Sequence, residues 1–465
     1  MRSYVLCFLC IVGLSGCVYY GDIHGHSQPL DADSLSTHHV FHASATPKAA
    51  YWWGKFKDPE LNQLIAVALS DSPDMQSAEN RVRRAEHLAD GAVAGLWPEI
   101  DLSGYVERER FSEFGLVPPP FNGKTFNIGQ VGFNFNYEFD FWGKNRQTLA
   151  ARVSEACAAQ ADLAQARLII SAAVANVYFQ LLGDIKQLQL AKDNLKQLKE
   201  ILGIVVDRAK NGIESDIPVK TAIANVQAAV LAVEQYQRAE MLSRHQLAVL
   251  LGKNPFATSI MTHRFRYHAY HIALPTCLSA NLLAHRPDIF AAKARAEAAA
   301  HQINVAKAGF FPDINLNAFF TYQSVKFGRL FDPGSQNNGI LGAIDLPIFD
   351  AGARRANLGV KYAEYDLAVN EYNQTILTAL REVADQASIL KTLKAEVAAQ
   401  ATALNATQRH YKLINSRYNH GIVDYVQVLE VKELLLQQQA RQVSLQTSHL
   451  QAVVVMLKAL GGTQG

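Results

Sequence analysis

The sequence predicts a mainly α-helical chain with a smaller transmembrane β portion, four strands per chain, built by internal duplication. Three observations predict it. A structural unit recurs, its long-helix portion from Gly143 to Gly252 without a gap, its helices carry heptads far longer than a compact domain needs, and its two hairpins alternate aromatic with polar residues.

The repeat is explicit. Arg208-Ala-Lys-Asn-Gly212-Ile213 returns as Arg417-Tyr-Asn-His-Gly421-Ile422, and the same offset of 209 relates Gly143 to Gly352 and Gly252 to Gly461. Upstream, Pro73-Asp74 and Pro98 return as Pro287-Asp288 and Pro312 at an offset of 214, so the length difference falls inside the first hairpin. Each copy should run helix, two strands, a very long helix, a turn at glycine and a return helix. A unit that cannot close on itself is completed by further copies.

Residues 1–16 read as a signal peptide: Arg2 supplies the positive charge and Tyr4 to Gly13 a short apolar core. Leu14-Ser15-Gly16-Cys17 has the pattern of a bacterial lipobox, which makes Cys17 the acylated first residue of the mature chain. Val18, where an aspartate would retain the protein at the inner membrane, favours the outer membrane. Residues 17–50 are then a lipidated tether. His24, His26, His38, His39 and His42 lie in it without the carboxylate or cysteine spacing of a metal site, so a solvated linker is expected and no cofactor beyond the lipid.

No later stretch reads as a membrane helix, so any crossing must be made by strands in a closed barrel. The net charge of +2 is scattered along the chain, which argues against a nucleic-acid surface. Cys7 and Cys10 leave with the signal; Cys157 and Cys277 alone make no disulfide framework.

From Lys144 to Asn211 there is no proline, and Val174, Leu181, Leu188, Leu195 and Leu202 recur every seven residues. Val177, Asp184, Ala191, Leu198 and Val205 lie three further on, an a/d seam interrupted at Asp184. The second copy keeps the first series as Val383, Leu390, Val397, Leu404 and Tyr411. A repeat of 3.5 residues demands a supercoiled partner. At about 1.5 Å per residue each long helix spans roughly 100 Å. Return helices are expected at about 216–251 and 425–460 and leading helices near 59–93 and 279–308. These are half as long, so two end to end match one long helix. Gly212 and Gly421 should cap the long helices; Ser215 or Asp216, and Asp424, should open the returning ones. A plain helical bundle or coiled-coil rod would explain the helices but neither the strands nor the signal.

In 127–141, Val131, Phe133, Phe135, Tyr137, Phe139 and Phe141 alternate with Gln130, Gly132, Asn134, Asn136, Glu138 and Asp140. Lipid outside and water inside produce such a pattern, which makes Asn134, Asn136, Glu138 and Asp140 lumen candidates. Ile100, Leu102 and Val106 alternate with Asp101, Ser103 and Glu107 in the partner strand. Ile314, Leu316, Ala318, Phe320 and Tyr322, then Ile344, Leu346 and Ile348, form the second hairpin, with Phe319 breaking its polar face. Loops 111–125 and 328–338 read as external. Four strands cannot close a barrel. Two chains would supply eight and three twelve, and only the wider ring leaves a water-filled bore.

Trp52-Trp53-Gly54, Asp58-Pro59-Glu60-Leu61, Ala85 through Pro98-Glu99-Ile100, Arg286-Pro287-Asp288-Ile289 and Ala306-Lys-Ala-Gly-Phe-Phe-Pro312, with the lipobox, carry a resemblance over essentially the whole mature chain. The chain resembles the outer membrane factors, the TolC-like efflux lipoproteins of the OprM/NodT branch. The resemblance implies a homotrimer whose twelve-stranded barrel continues into a long α-helical coiled-coil barrel, with a mixed equatorial region. It also implies a passive exit duct for small molecules, working with a periplasmic adaptor and an inner-membrane pump of resistance–nodulation–division type. By position in Gly421-Ile-Val-Asp-Tyr-Val-Gln-Val-Leu-Glu430, Val426 and Glu430 correspond to an apolar and an acidic gate ring; relatives usually have leucine and aspartate there. The turns at Gly212-Ile213 and Gly421-Ile422 correspond to the adaptor-contacting tips.

The expected layout is signal 1–16, tether 17–50, first repeat 51–255, equatorial linker 256–278, second repeat 279–461 and tail 462–465. Type I protein secretion uses the same fold and is the alternative cargo class; a structural surface lipoprotein is a third reading. No His-Glu-x-x-His, Gly-x-Ser-x-Gly, Gly-x-Gly-x-x-Gly or Walker motif occurs, so an enzyme is not expected.

Overall fold

A computed structural model describes residues 23–30, 51–213, 215–256 and 286–462. Cys17, His38, His39, His42, most of the 256–278 linker with Cys277, and residues 279–285 lie outside the described residues. The first repeat contains α1 (Pro59–Asp71), α2 (Pro73–Ala94), β1 (Glu99–Arg110), β2 (Thr125–Glu138), α3 (Lys144–Lys210) and α4 (Asp216–Leu250). The second contains α5 (Pro287–Ala308), β3 (Asp313–Ser324), β4 (Gln336–Asp345), α6 (Ala353–Asn419) and α7 (Tyr425–Ala459). The two long helices have 67 residues each and the two return helices 35 each, so the duplication holds to the residue.

The chain divides into two compact units, one built on Val82–Ala159 and Ala291–Asn373, the other on the segment ending at Arg81, Gln160–Phe290 and Gln374 onward. The first holds a four-stranded antiparallel sheet in the order β1-β2-β3-β4. Strand β2 stops at Glu138 rather than 141, with one further bond from the Phe139 N–H to the Ile314 carbonyl (2.9 Å), and β4 stops at Asp345, so Phe141, Leu346 and Ile348 lie beyond the ladder. The start of the next helix requires this. Asp140 accepts hydrogen bonds from the backbone N–H groups of Asn145 (3.1 Å) and Arg146 (2.9 Å) at the head of α3. In the second copy Asp350 accepts from Gly352 and Arg354. Gly143 and Gly352 turn the chain between capping aspartate and helix at φ 78° and 90°, where a side chain would be strained.

In the same unit, part of the tether is held rather than solvated. The Asp366 carboxylate accepts the backbone N–H of His26 (2.9 Å) and Ser27 (2.8 Å), and Ile23 packs against Ile303, Ala306 and Leu358. His24 and His26 themselves remain exposed.

The second unit is helical. Trp52 is fully buried, and its Nε1–H donates to Ser171 Oγ at 3.1 Å. Asp58 caps α1 by accepting from Glu60 and Leu61 and also receives the Tyr178 hydroxyl at 2.8 Å. Burial, reinforced by the acceptors Asp58 and Glu60, pushes the Tyr178 phenol far above its ordinary pKa. The leading helix expected at 59–93 is broken into α1 and α2. Pro73 forces Ser72 into an extended conformation (ψ 129°). Gly252 packs against the break, where a β-carbon would meet the Asp71 carbonyl oxygen at 2.7 Å.

The heptad seam is half satisfied within one chain. Val174, Leu181, Val383 and Leu390 are buried, while Leu195, Leu202, Val397 and Leu404 keep part of their surface. Asp184 interrupts the seam as a partnered group, accepting from Ser243 Oγ at 2.6 Å and Gln180 Nε2 at 2.8 Å. The expectation that no later segment is apolar enough for a membrane helix is corrected: α3 and α4 each contain such a window, of mean hydropathy 1.6 and 1.2. The α3 window is 72% buried inside the fold, as for a core helix; that of alanine-rich α4 is 28% buried.

Arg286, 5% exposed, is the main buried charge of this unit. It donates to Asp288 (2.7 Å), Glu382 (2.9 Å) and the Ala459 carbonyl (3.0 Å), tying the start of α5 to α6 and the end of α7. Burial alone would lower its pKa; the hydrogen bonds and charges of Asp288 and Glu382 outweigh burial and raise it. Arg286→Ala leaves both carboxylates and a buried carbonyl without their donor. It should cost about 3 kcal/mol, read as a lower thermal midpoint of the detergent-solubilised protein, with Arg286→Lys recovering part of the loss.

Candidate gate, tip turns and lumen surface

Both tip turns are built from the same hydrogen bonds. The Ile213 N–H donates to the Arg208 carbonyl (3.0 Å) and Gly212 N–H to Ala209 (3.0 Å); Ile422 N–H donates to Arg417 (3.0 Å) and Gly421 N–H to Tyr418 (2.8 Å). This is a Schellman cap, with the glycine in the left-handed region at φ 70° in each copy. Its usual apolar contact between the residue after glycine and one in the last turn is missing, because an arginine occupies the partner position. Ile213 and Ile422 are therefore left 66% and 63% exposed.

The gate candidates lie in the first two turns of α7. Asp424 opens this helix, its side chain accepting from the Gln427 N–H at 3.0 Å; Ser215, its counterpart, makes no side-chain cap bond. Val428 and Val431 are buried with Ile414 among Tyr411, Tyr418 and Tyr425, which fixes the rotation of α7 on the end of α6. At about 100° per residue, Val426 and Glu430 fall on the opposite stripe. Both are exposed, and together they line a cleft with residues of α3 and α4. Their counterparts at the repeat offset, Ile217 and Thr221, line the same cleft.

In the sheet, register makes the alternation continuous across strands. Leu102 pairs with Phe133, Phe133 with Phe320 and Phe320 with Asn338; Asp101 pairs with Asn134, Asn134 with Phe319 and Phe319 with Gly339. One face thus carries Ile100, Leu102, Val106, Phe133, Phe320, Ile340 and Ile344, all exposed large hydrophobics. The other carries Asp101, Ser103, Asn134, Asn136, Glu138, Asn315 and Asn317. Asn134 Nδ2 donates to Ser103 Oγ at 2.7 Å, a polar cross-strand pair. Phe319 intrudes on the polar face by lying over Gly339, where a β-carbon would be 2.8 Å from its ring.

Glu138 ends the strand and receives Lys144 Nζ at 3.0 Å, with Asp313 at 3.7 Å. Asp140, expected in the strand, is instead the cap of α3 and bonded to the Arg146 side chain. Burial would raise its pKa, but the N–H groups of Arg146 and Asn145 and the guanidinium hold it below the usual value. Among the described residues no cluster of three or more histidine, cysteine or acidic side chains could hold a metal ion.

Sequence reasoning passed over Arg286, Glu382, Tyr178 and Asp366 as interacting groups. Arg286 and Asp58 stood inside the resembling motifs, which was the only signal available. The segment before Pro312 has a similar explanation: Trp142 stacks on Phe311 at 4.6 Å and donates to the Pro312 carbonyl at 2.8 Å.

The profile of the family described as "outer membrane efflux protein" matches residues 64–253 and 278–462, one match per repeat. The chain is 31% identical to the putative multidrug resistance outer membrane protein MdtQ of Shigella flexneri, covering 98% of this chain and 97% of that one. It is 27% identical to MdtP, a multidrug resistance outer membrane protein of Escherichia coli K12, over 97% of this chain and 94% of the relative. Among solved structures, the outer membrane protein VceC of Vibrio cholerae superposes with a TM-score of 0.80 at 33% identity, covering 89% of this chain and 99% of VceC. The Campylobacter jejuni CmeC outer membrane channel shares the fold, with a TM-score of 0.85 at 22% identity over 95% and 94% of the two chains. Both repeats match in order and the likeness runs nearly end to end: the chain belongs to the outer membrane efflux protein family.

Proposed function

We propose that three copies of this chain form the outer membrane exit duct of a tripartite efflux system, passing small molecules through periplasm and outer membrane. The observation that carries this reading is the sheet. It has an exposed apolar face, an opposite polar face and two open edges, β1 and β4, so it fits a barrel shared between copies with lipid outside and water within. Twelve strands leave a bore; eight are filled by side chains or hold one small ligand.

The other parts take roles from their positions. Acylated Cys17 anchors the chain in outer membrane lipid, and the clasp at Asp366 holds the tether after it. Ile213 and Ile422, apolar and outward on rigid caps, suit contact with a periplasmic adaptor. An inner-membrane pump, of resistance–nodulation–division type, supplies energy. Val426 and Glu430 make the apolar and acidic rings of the gate, the first resisting wetting and the second attracting cations. Asn134, Asn136 and Glu138 line the barrel lumen. The relatives named for multidrug resistance favour small-molecule cargo over type I secretion.

Two measurements test these roles. Glu430→Ala should raise the resting single-channel conductance in planar bilayers or weaken block by divalent cations; unchanged currents and block move the gate elsewhere. Cys17→Ser should abolish incorporation of labelled palmitate while trimers still assemble through the sheet. Complete loss of trimer would make the lipid part of assembly rather than an anchor.

A further inference from the structure

The end of the sheet away from the helices carries charges that are sorted by face. Past Val106, β1 reads Glu107, Arg108, Glu109, Arg110, all exposed. Arg108, opposite Asn127, and Arg110, opposite Thr125, continue the apolar face of Leu102 and Val106. Glu107 and Glu109 continue the polar face of Asp101 and Ser103. At about 3.4 Å per residue, the two arginines stand roughly 7 and 14 Å past Val106 along the strand, the depth of a headgroup layer beside a hydrocarbon slab.

A turn of the second hairpin folds onto the same apolar face. The 3₁₀ turn Phe327–Arg329 and the residue after it cover Gly129, the cross-strand partner of Val106. A β-carbon at Gly129 would meet the Phe327 ring at 3.2 Å and Leu330 at 3.7 Å. Phe331 has its ring centre 6.1 Å from that of Tyr322, which pairing through Val131 puts on this face. Ser324 Oγ fixes the entry to the turn, donating to the Lys326 carbonyl at 3.0 Å and accepting the Lys326 N–H at 3.1 Å. Phe327 and Phe331 are nevertheless 50% and 74% exposed. Bare aromatic rings at this height have the position of a girdle that meets lipid headgroups.

The rim on this side is net positive. Its cations are Arg108, Arg110, Lys326 and Arg329, and the acids of the two loops are Glu113 and Asp332. Arg110 meets Glu113 at 3.4 Å with both side chains more than half exposed, a weak contact. Arg108, Lys326 and Arg329 make no ion pair among the described residues.

We propose that this rim binds a phosphate-bearing lipid of the outer leaflet, its phosphate held by Arg108 and Arg110 and its acyl chains against Val106, Phe327 and Phe331. Arginine suits the task because its planar fork donates two parallel hydrogen bonds to phosphate oxygens. Glu107 and Glu109 repel the same anion from the opposite face. A zwitterionic lipid keeps the apolar contact but brings a cation of its own against the arginines. The proposal rests on the duct reading only for the direction of the apolar face, toward lipid.

The test uses the full-length acylated protein in mixed micelles of detergent with lipid A, with lipid A stripped of its phosphates, or with phosphatidylcholine. Native mass spectrometry counts the lipid retained. Lipid A should be held about tenfold more tightly than either of the others. Arg108→Gln with Arg110→Gln should remove that preference, and Glu107→Gln with Glu109→Gln should leave it in place. Phe331→Ser should lower retention of all three lipids. Equal retention of the three, a preference that survives loss of both arginines, or displacement of lipid A by inorganic phosphate alone overturns the proposal. Channels that conduct in planar bilayers without the lipid preference leave the duct reading standing; a lipid A preference without conduction overturns the duct and keeps the rim.

Discussion

An antiparallel sheet of four strands with both edges open among the described residues and an exposed apolar face cannot be the end point of folding. The outward backbone groups of β1 and β4 have no strand partner among the described residues, and every residue of β1 is exposed. Unpaired strand edges cost too much in lipid and invite pairing in water. The apolar face adds a second demand, since Ile100, Val106, Ile340 and Ile344 are each at least 65% exposed. Lipid on that face and a copy at each edge meet both demands together. The half-covered heptads at Leu195, Leu202, Val397 and Leu404 make the same demand of the helices.

Duplication explains how one chain meets these demands, and the copies differ where their roles differ. The elements common to both are geometric: 67-residue helices, Schellman caps at Gly212 and Gly421, and an aspartate cap before each long helix. The differences are chemical. Asp184, buried on α3 beside Ser243, has Leu393 as its counterpart, and the charges of Glu430 and Glu433 on α7 have none on α4. A shared frame keeps the turns in register while the second copy alone sets the charge of the cleft.

Much of this was legible because the strongest signals are periodic. Heptads, the 209-residue offset and alternation in β2 identified each long element, and glycine at a helix end located the caps. The ends of strands were less legible. Alternation continues through Phe139 and Phe141, but Asp140 is claimed by the backbone of α3, a competition that a period of two does not reveal. The break at Ser72 was visible as Pro73 and was outweighed by the helical pattern on either side. Arg286 with Glu382, and Asp366 with His26, join residues 96 and 340 positions apart, and no local pattern records such contacts. The gate candidates Val426 and Glu430 were readable only by position in the resembling segment Gly421–Glu430; that Ile217 and Thr221 share their cleft required the fold.

The central claim is that one chain is an incomplete wall. Native mass spectrometry of the mature acylated chain, released from detergent micelles, tests it most directly. Assembly into three copies, with no folded species of one copy in detergent-free buffer, is the predicted result. A stable, folded single chain in water without lipid or detergent would contradict it.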